Sequence, residues 1–272
     1  MVINKHLSTS AIDHATDILW GSSTGLLTAS PLTENSIRTI FWISKALVLR
    51  LAHTNDVLTH LLSLLPNPDH GLACARGFSL LLAPDEILSK ENGAIIRLLA
   101  KQRVFSICVP RLASDFRAAE PRSKANYLIA LSGILAYVPT SVLLPEIDTL
   151  LPLLLQSLDL PEADIKAATI DTLTTIIVEN ASAVEPHTNS LVTRLLAAAG
   201  DRKSSLSKTR QAALRCLRMF PGKIKESTLL PFRSKVTWGL GKNALDDPKR
   251  EVRREAIDCR AKWLAMDEPE SD

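Results

Sequence analysis

An all-α, right-handed solenoid of stacked helix pairs is the fold class this sequence predicts, and three observations predict it. The first is composition: 45 of the 272 residues are leucine, only 4% are aromatic, and glycine numbers 10. Such chains favour helix on helix, because sheets draw on β-branched and aromatic residues. The second is apolar spacing at three and four residues along most of the chain. The third is an internal repeat in the low forties of residues, which fits two helices per unit and about five to six helix pairs in all.

The elements follow in order. Residues 1–32 carry no clear period and read as an irregular or helical lead-in. Thr33 can cap a helix through Ile37, Ile40, Phe41, Leu47, Val48 and Leu51, one apolar face at helical spacing. Thr54 can cap the next, through Val57, Leu61, Leu62 and Leu65, which Pro66 and Pro68 end. A third begins near Asp69 and carries Leu72, Phe78 and Leu82. From Pro84 to Pro110 the period weakens, and Gly93 and Pro110 predict short or kinked helices. Residues 33–120 therefore read as less regular repeats, 121–266 as regular ones and 267–272 as an acidic tail, all within one solenoid over 1–272.

The regular part aligns with itself. The segments opening at Ser123, Ile165, Thr209 and Val252 are 42, 44 and 43 residues apart, with Lys124, Lys166, Arg210 and Arg253 in register. Leu131, Leu173 and Leu217 also align, Arg260 being the exception, and Cys216 and Cys259 are equivalent. Pro145, Pro186 and Pro231 are expected to open the intervening helices, since proline in a first turn costs no hydrogen bond. This is the period of HEAT or armadillo repeats, in which neighbouring units stack to cover apolar faces none can cover alone. Val252, Ala256, Cys259 and Trp263 form one such face, so Trp263 is expected in the core.

Several function classes fall away. The longest apolar runs, such as Leu153-Leu154-Leu155, are far below the ~18 residues of a membrane span. No charged-then-apolar signal segment opens the chain, so an intracellular protein is expected. The four cysteines form no CxxC unit and the histidines no HxxxH pair, so no metal or other cofactor is expected and the thiols read as buried and reduced. Gly239-Leu240-Gly241-Lys242 fails both phosphate-loop patterns. Ser204-Ser205-Leu206-Ser207 has no histidine near it, and no GxSxG elbow exists. Asp246-Asp247 reads as a helix cap. A catalytic role is not expected.

One ordered set of segments carries a resemblance. Trp42 to Arg50 (WISKALVLR), Gly77 to Leu81 (GFSLL), Asn126-Tyr127-Leu128, Val142 to Glu146 (VLLPE) and Leu245 to Ala256 (LDDPKREVRREA) follow one another. Together they resemble the C-terminal HEAT-repeat domain of the methyl-methanesulfonate-sensitivity family, the nineteenth of that series, over about residues 33–264. The resemblance implies a non-enzymatic adaptor in cytosolic iron–sulfur cluster targeting, active in cytoplasm and nucleus. It implies as partners a MIP18-type protein, a WD40 propeller protein, and client apo-proteins of DNA replication, repair and transcription. Family members are much longer solenoids, so client contacts made by earlier repeats are expected to lie outside these residues.

Charge points to where partners would bind. Residues 201–272 hold 17 Lys and Arg against 11 Asp and Glu, whereas the first 200 hold 15 against 18. The ladder Lys124, Lys166, Arg210 and Arg253 reads first as holding repeats in register, with partner contact as the alternative. Trp238 stands in register with Pro152 and Thr193, beside the core pairs Val236/Leu240, Leu150/Leu154 and Leu191/Leu195. With Lys235 and Lys242 it is either an interface anchor or a ring lying under lysine stems. Arg254 points about 100° away from Arg253, so Lys249, Arg250 and Arg254 are the other candidates for an acidic partner. A nucleic-acid or transport-type solenoid acting through this basic end is the alternative function. It lacks the aromatic residues interleaved with basic ones that base stacking would use.

Overall fold

A computed structural model describes residues 2–5, 33–203 and 206–266. The lead-in beyond residue 5, the pair Ser204-Ser205 and the acidic tail lie outside the described residues. Every regular element described is helical, and the chain divides into two compact units, Met1–Val142 and Leu143–Asp272.

In the first unit lie α1 (Val2–Lys5), α2 (Glu34–Leu49), α3 (Thr54–Ser63), α4 (Gly71–Leu82), α5 (Ala100–Ala118) and α6 (Lys124–Leu135). Thr33 caps α2 as expected, in a reciprocal capping box with Ser36. The α4 helix packs between α2 and α6, and α5 packs against α3 and α6. Gly77 permits the α2–α4 approach, because a Cβ there would meet the Phe41 ring at 2.3 Å. Phe41 and Phe78 then meet edge to face, 5.4 Å between centroids. The buried Asn126 donates to the Leu65 carbonyl at 2.9 Å and so ties α6 to the end of α3. Lys45 is also buried; its Nζ donates to the Ala83 carbonyl at 2.8 Å and lies 3.9 Å from Asp85. Burial pulls its pKa below the ordinary lysine value, against the opposing pull of Asp85.

The second unit is a regular two-layer stack. It comprises α7 (Ile147–Ser157), α8 (Ala163–Glu179), α9 (Thr188–Gly200), α10 (Ser207–Met219), α11 (Glu226–Asn243) and α12 (Arg250–Leu264). One layer runs α8, α10, α12; α9 and α11 lie side by side in the other, each packed on a helix of the first. All members of the aligned core pairs, Leu150/Leu154, Leu191/Leu195 and Val236/Leu240, are buried. On α12 the buried residues are Val252, Ala256, Cys259 and Trp263, the predicted stripe, and the Trp263 indole donates to the Leu217 carbonyl at 2.8 Å.

Six local expectations need correction. Pro110 sits inside a continuous α5, and Pro231 lies inside α11 instead of opening it. Both prolines are exposed, so each faces solvent where its missing N–H and the freed carbonyl can be tolerated. Thr54 begins α3 without capping it; His53 holds the cap position with φ +46°. Leu51 lies past α2, with φ +61°, and Leu72 is on the exposed side of α4. Asp247 does not cap α12; its side chain is drawn inward by Arg210 and accepts the Lys249 N–H on the way.

Candidate partner-binding surface

The basic ladder resolves into distinct jobs. Arg210 is buried and grips Asp247 with a fork, Nε to Oδ2 at 2.8 Å and Nη2 to Oδ1 at 3.1 Å. Arg253 donates to the Asp247 and Pro248 carbonyls at 2.7 and 3.2 Å. Arg210 thus fastens the segment between α11 and α12 to α10, the register-holding role, while Arg253 holds that segment to its own helix, α12. Lys124 differs: its Nζ lies 5.3 Å from the Phe116 ring centroid. Neighbouring helices in the stack are also cross-linked at the surface. Arg194 grips Asp159 through both Nε and Nη2, and Arg233 donates to the Leu264 carbonyl at 2.8 Å.

Trp238 stands apart from this scaffolding. The buried Val236 and Leu240 fix the rotation of α11, so residue 238 must point outward, as Pro152 and Thr193 do on α7 and α9. Its side chain is 69% exposed. Lys242 Nζ lies 5.1 Å from the indole centroid, a cation–π contact on one side of the ring. At that exposure the ring is not covered by lysine stems. Lys235 is less available than expected, because its Nζ donates to Thr193 Oγ1 at 2.7 Å across the α9–α11 contact. Lys249, Arg250 and Arg254 are exposed at the start of α12, and none pairs with a carboxylate among the described residues. The structure thus puts Trp238 and Lys242 on α11, and the other three on the next helix in the chain.

Sequence inspection passed over two residues here. Ile257 and Leu264 are 59% and 47% exposed. With Arg254 and Ala261 they make a second stripe on α12, at spacings of 3, 4 and 3, offset by one or two residues from the buried one. The signal was present, but the stripe through Trp263 was strong enough to mask it.

Metal chemistry finds little purchase among the described residues. No group of three or more His, Cys, Asp or Glu is placed to hold an ion. Burial pushes the thiols of Cys108, Cys216 and Cys259 up to about 12, and that of Cys74 up to about 11. They are protonated at neutral pH, the wrong form for a ligand or nucleophile. No described helix is long and apolar enough to cross a membrane.

Comparison with known proteins adds findings of three kinds: a family, relatives in sequence and likenesses in fold. Residues 1–221 match the family described as the RNAPII transcription regulator C-terminal domain. The chain is 34% identical over 272 residues to the human MMS19 nucleotide excision repair protein homolog, covering 99% of this chain and 26% of that protein. It is 34% identical over 233 residues to the Schizosaccharomyces pombe DNA repair/transcription protein mms19, covering 85% and 23%. The chain thus spans a minor part of the length of these relatives. Among solved structures, an engineered protein superposes with a TM-score of 0.61 at 16% identity, covering 94% of this chain and 97% of that one. A designed armadillo repeat protein gives 0.52 at 13% identity, covering 88% and 97%. These two likenesses concern the fold alone: stacked helical repeats.

Proposed function

The chain belongs to the RNAPII transcription regulator C-terminal family, and from that premise we propose that it is a non-catalytic adaptor domain serving DNA repair and transcription. Its task is to bind a MIP18-type protein and a WD40 propeller protein of the cytosolic iron–sulfur targeting machinery, in cytoplasm and nucleus. Clusters are cargo passed between the proteins it gathers; client apo-proteins of replication, repair and transcription receive them. An adaptor needs no ligand set of its own, because holding carrier and client together raises their effective concentration.

The observation that carries this reading is the bare indole of Trp238, 69% exposed beside Lys242 on a helix that buries Leu229, Val236 and Leu240. Exposed tryptophan with a cation beside it suits a partner that offers an apolar pocket with an acidic rim. The names of the human and Schizosaccharomyces pombe relatives, nucleotide excision repair and DNA repair/transcription, support the biological setting. Lys249, Arg250 and Arg254 would steer encounter with an acidic surface and contribute less to affinity than the indole.

Salt dependence separates this from the nucleic-acid alternative. Binding of the purified chain to a MIP18-type protein should lose less than about tenfold between ~50 and ~200 mM salt. Binding driven by six to ten phosphate contacts would lose about 10³–10⁵ over the same range. A fluorescently labelled duplex and a labelled MIP18-type protein, titrated side by side, give the comparison. Tight, steeply salt-dependent duplex binding with no MIP18 binding would overturn the adaptor reading.

A further inference from the structure

Repeat equivalence singles out the outer face of α12. Counting from the aligned positions Ile165, Thr209 and Val252, Ile257 corresponds to Ile170 on α8 and Leu214 on α10, and Ala261 to Thr174 and Arg218. Leu264 corresponds to Ile177 on α8. Inside the stack these positions face the next helix of the layer. Thr174 meets Cys216 of α10, and Arg218 reaches Glu255 and Asp258 of α12 at 3.3 and 3.5 Å. Ile170, Ile177 and Leu214 are fully buried there. Beyond α12 no further helix follows among the described residues, and Ile257 and Leu264 are exposed. A helix that closes a repeat stack carries a polar outer face. This one keeps the apolar pattern of an internal helix, with the small Ala261 between two large residues. An open groove of about 490 Å³ runs beside it along Asp258, Ala261, Lys262 and Ala265.

The helices that fill the internal seats show what form an occupant takes. The α10 helix meets α8 through the stripe Thr209, Ala213, Cys216 and Phe220, with Thr209 Oγ1 donating to the Ala163 carbonyl at 2.9 Å. The α12 helix meets α10 through Val252, Ala256, Cys259 and Trp263, whose indole donates to the Leu217 carbonyl. In both, the residues are spaced by four, three and four, with small side chains in the middle. Charge distinguishes the open seat from the internal ones. Arg250 and Arg254 stand at its start, where α8 has Ala163 and Ala167 and α10 has Ser207 and Gln211. Both arginines are exposed, and neither pairs with a carboxylate among the described residues. The six residues after Met266, four of them acidic, contain no large apolar side chain for such a stripe.

We propose that α12 seats one helix of a partner protein lengthwise, in the place the next helix of the layer would take. The partner's apolar stripe, with small residues at its centre, packs on Ile257, Ala261 and Leu264. Acidic side chains on the same helix meet Arg250 and Arg254. The proposal rests on the adaptor reading and adds the form of the contact: it runs the length of α12, past the basic start to Leu264.

The test uses the full chain and a MIP18-type protein. Ala261→Arg fills the middle of the seat, and Ile257→Gln with Leu264→Gln strips its large apolar side chains. All three positions are exposed, and Arg and Gln are good helix formers, so both variants should melt within a few degrees of the parent. Calorimetric titration should show binding weakened about tenfold or more in each variant. On binding, hydrogen exchange should slow along α12 through Leu264 and in one helical segment of the partner. Unchanged binding in both variants would overturn the proposal; a loss confined to Trp238→Ala would then leave the adaptor reading standing without it. A parent chain that binds no MIP18-type protein would overturn both. Protection restricted to the start of α12, or to a partner segment that is not helical, would overturn the lengthwise helix. If light scattering shows the chain paired with itself, and Ala261→Arg returns it to a monomer, a second copy fills the seat and the partner assignment is wrong.

Discussion

Arg210→Ala is expected to lower the unfolding free energy by about 3–5 kcal/mol, because it strands a buried carboxylate without its counter-charge. Asp247 is fully buried at its side chain, and Arg210 is 6% exposed. Burial by itself pushes the Asp247 carboxyl up. The Arg210 fork, the Lys249 amide and the guanidinium charges of Arg210 and Arg202 outweigh it and hold the carboxyl below its ordinary value. A carboxyl held below its unfolded value, near ~3.9, stabilises the fold above that pH. The stabilisation is lost as pH falls through the lower folded value. Denaturant melts across acid pH should therefore show a steep loss in the parent chain. That loss should flatten in Asp247→Asn, which has no charge there to titrate. Arg253→Ala removes bonds to two carbonyls and leaves no buried charge unpaired, so it should cost about 1–2 kcal/mol.

Trp263→Ala should cost a similar amount, about 3–5 kcal/mol, for a different reason. Its indole is fully buried, 6.2 Å from the Phe220 ring, and its N–H spans from α12 to the Leu217 carbonyl at the end of α10. Truncation opens a large cavity between α12 and the end of α10 and removes that bond as well. Trp263→Phe keeps much of the apolar volume and should cost less than half as much. Trp238→Ala is the built-in contrast, expected within about 0.5 kcal/mol of the parent because little is packed on that ring. Chemical denaturation of the three variants reads this difference directly.

The repeat period made much of this legible in advance. Register alone separated Trp263 from Trp238, because a 3.6-residue helix with its core pairs fixed leaves no freedom in where the remaining side chains point. Of the ladder, the register-holding role was legible at Arg210, which ties α10 to the segment before α12, whereas Lys124 and Arg253 meet other neighbours. What resisted reading depended on tertiary surroundings. Pro110 and Pro231 look like helix boundaries in sequence, and only their exposure in the fold explains how α5 and α11 run through them. Asp246 and Asp247 look alike in sequence, yet Arg210, 37 residues earlier, recruits the second of them. The left-handed Leu51 and His53 carry no glycine or asparagine to announce them. Lys235 looked as available as Lys242, and a threonine 42 residues away takes its ammonium.

The adaptor reading makes its sharpest claim about Trp238 and the basic start of α12. The measurement is calorimetric titration of a MIP18-type protein into the parent chain, into Trp238→Ala, and into the triple variant Lys249→Glu, Arg250→Glu, Arg254→Glu. Circular dichroism should first establish that both variants melt within a few degrees of the parent, as exposed changes do. Affinity should then fall by about tenfold or more in at least one variant, with the indole accounting for the larger loss. If both variants fold and bind as the parent does, the partner site lies elsewhere on the repeats and the assignment of α11 and α12 is wrong.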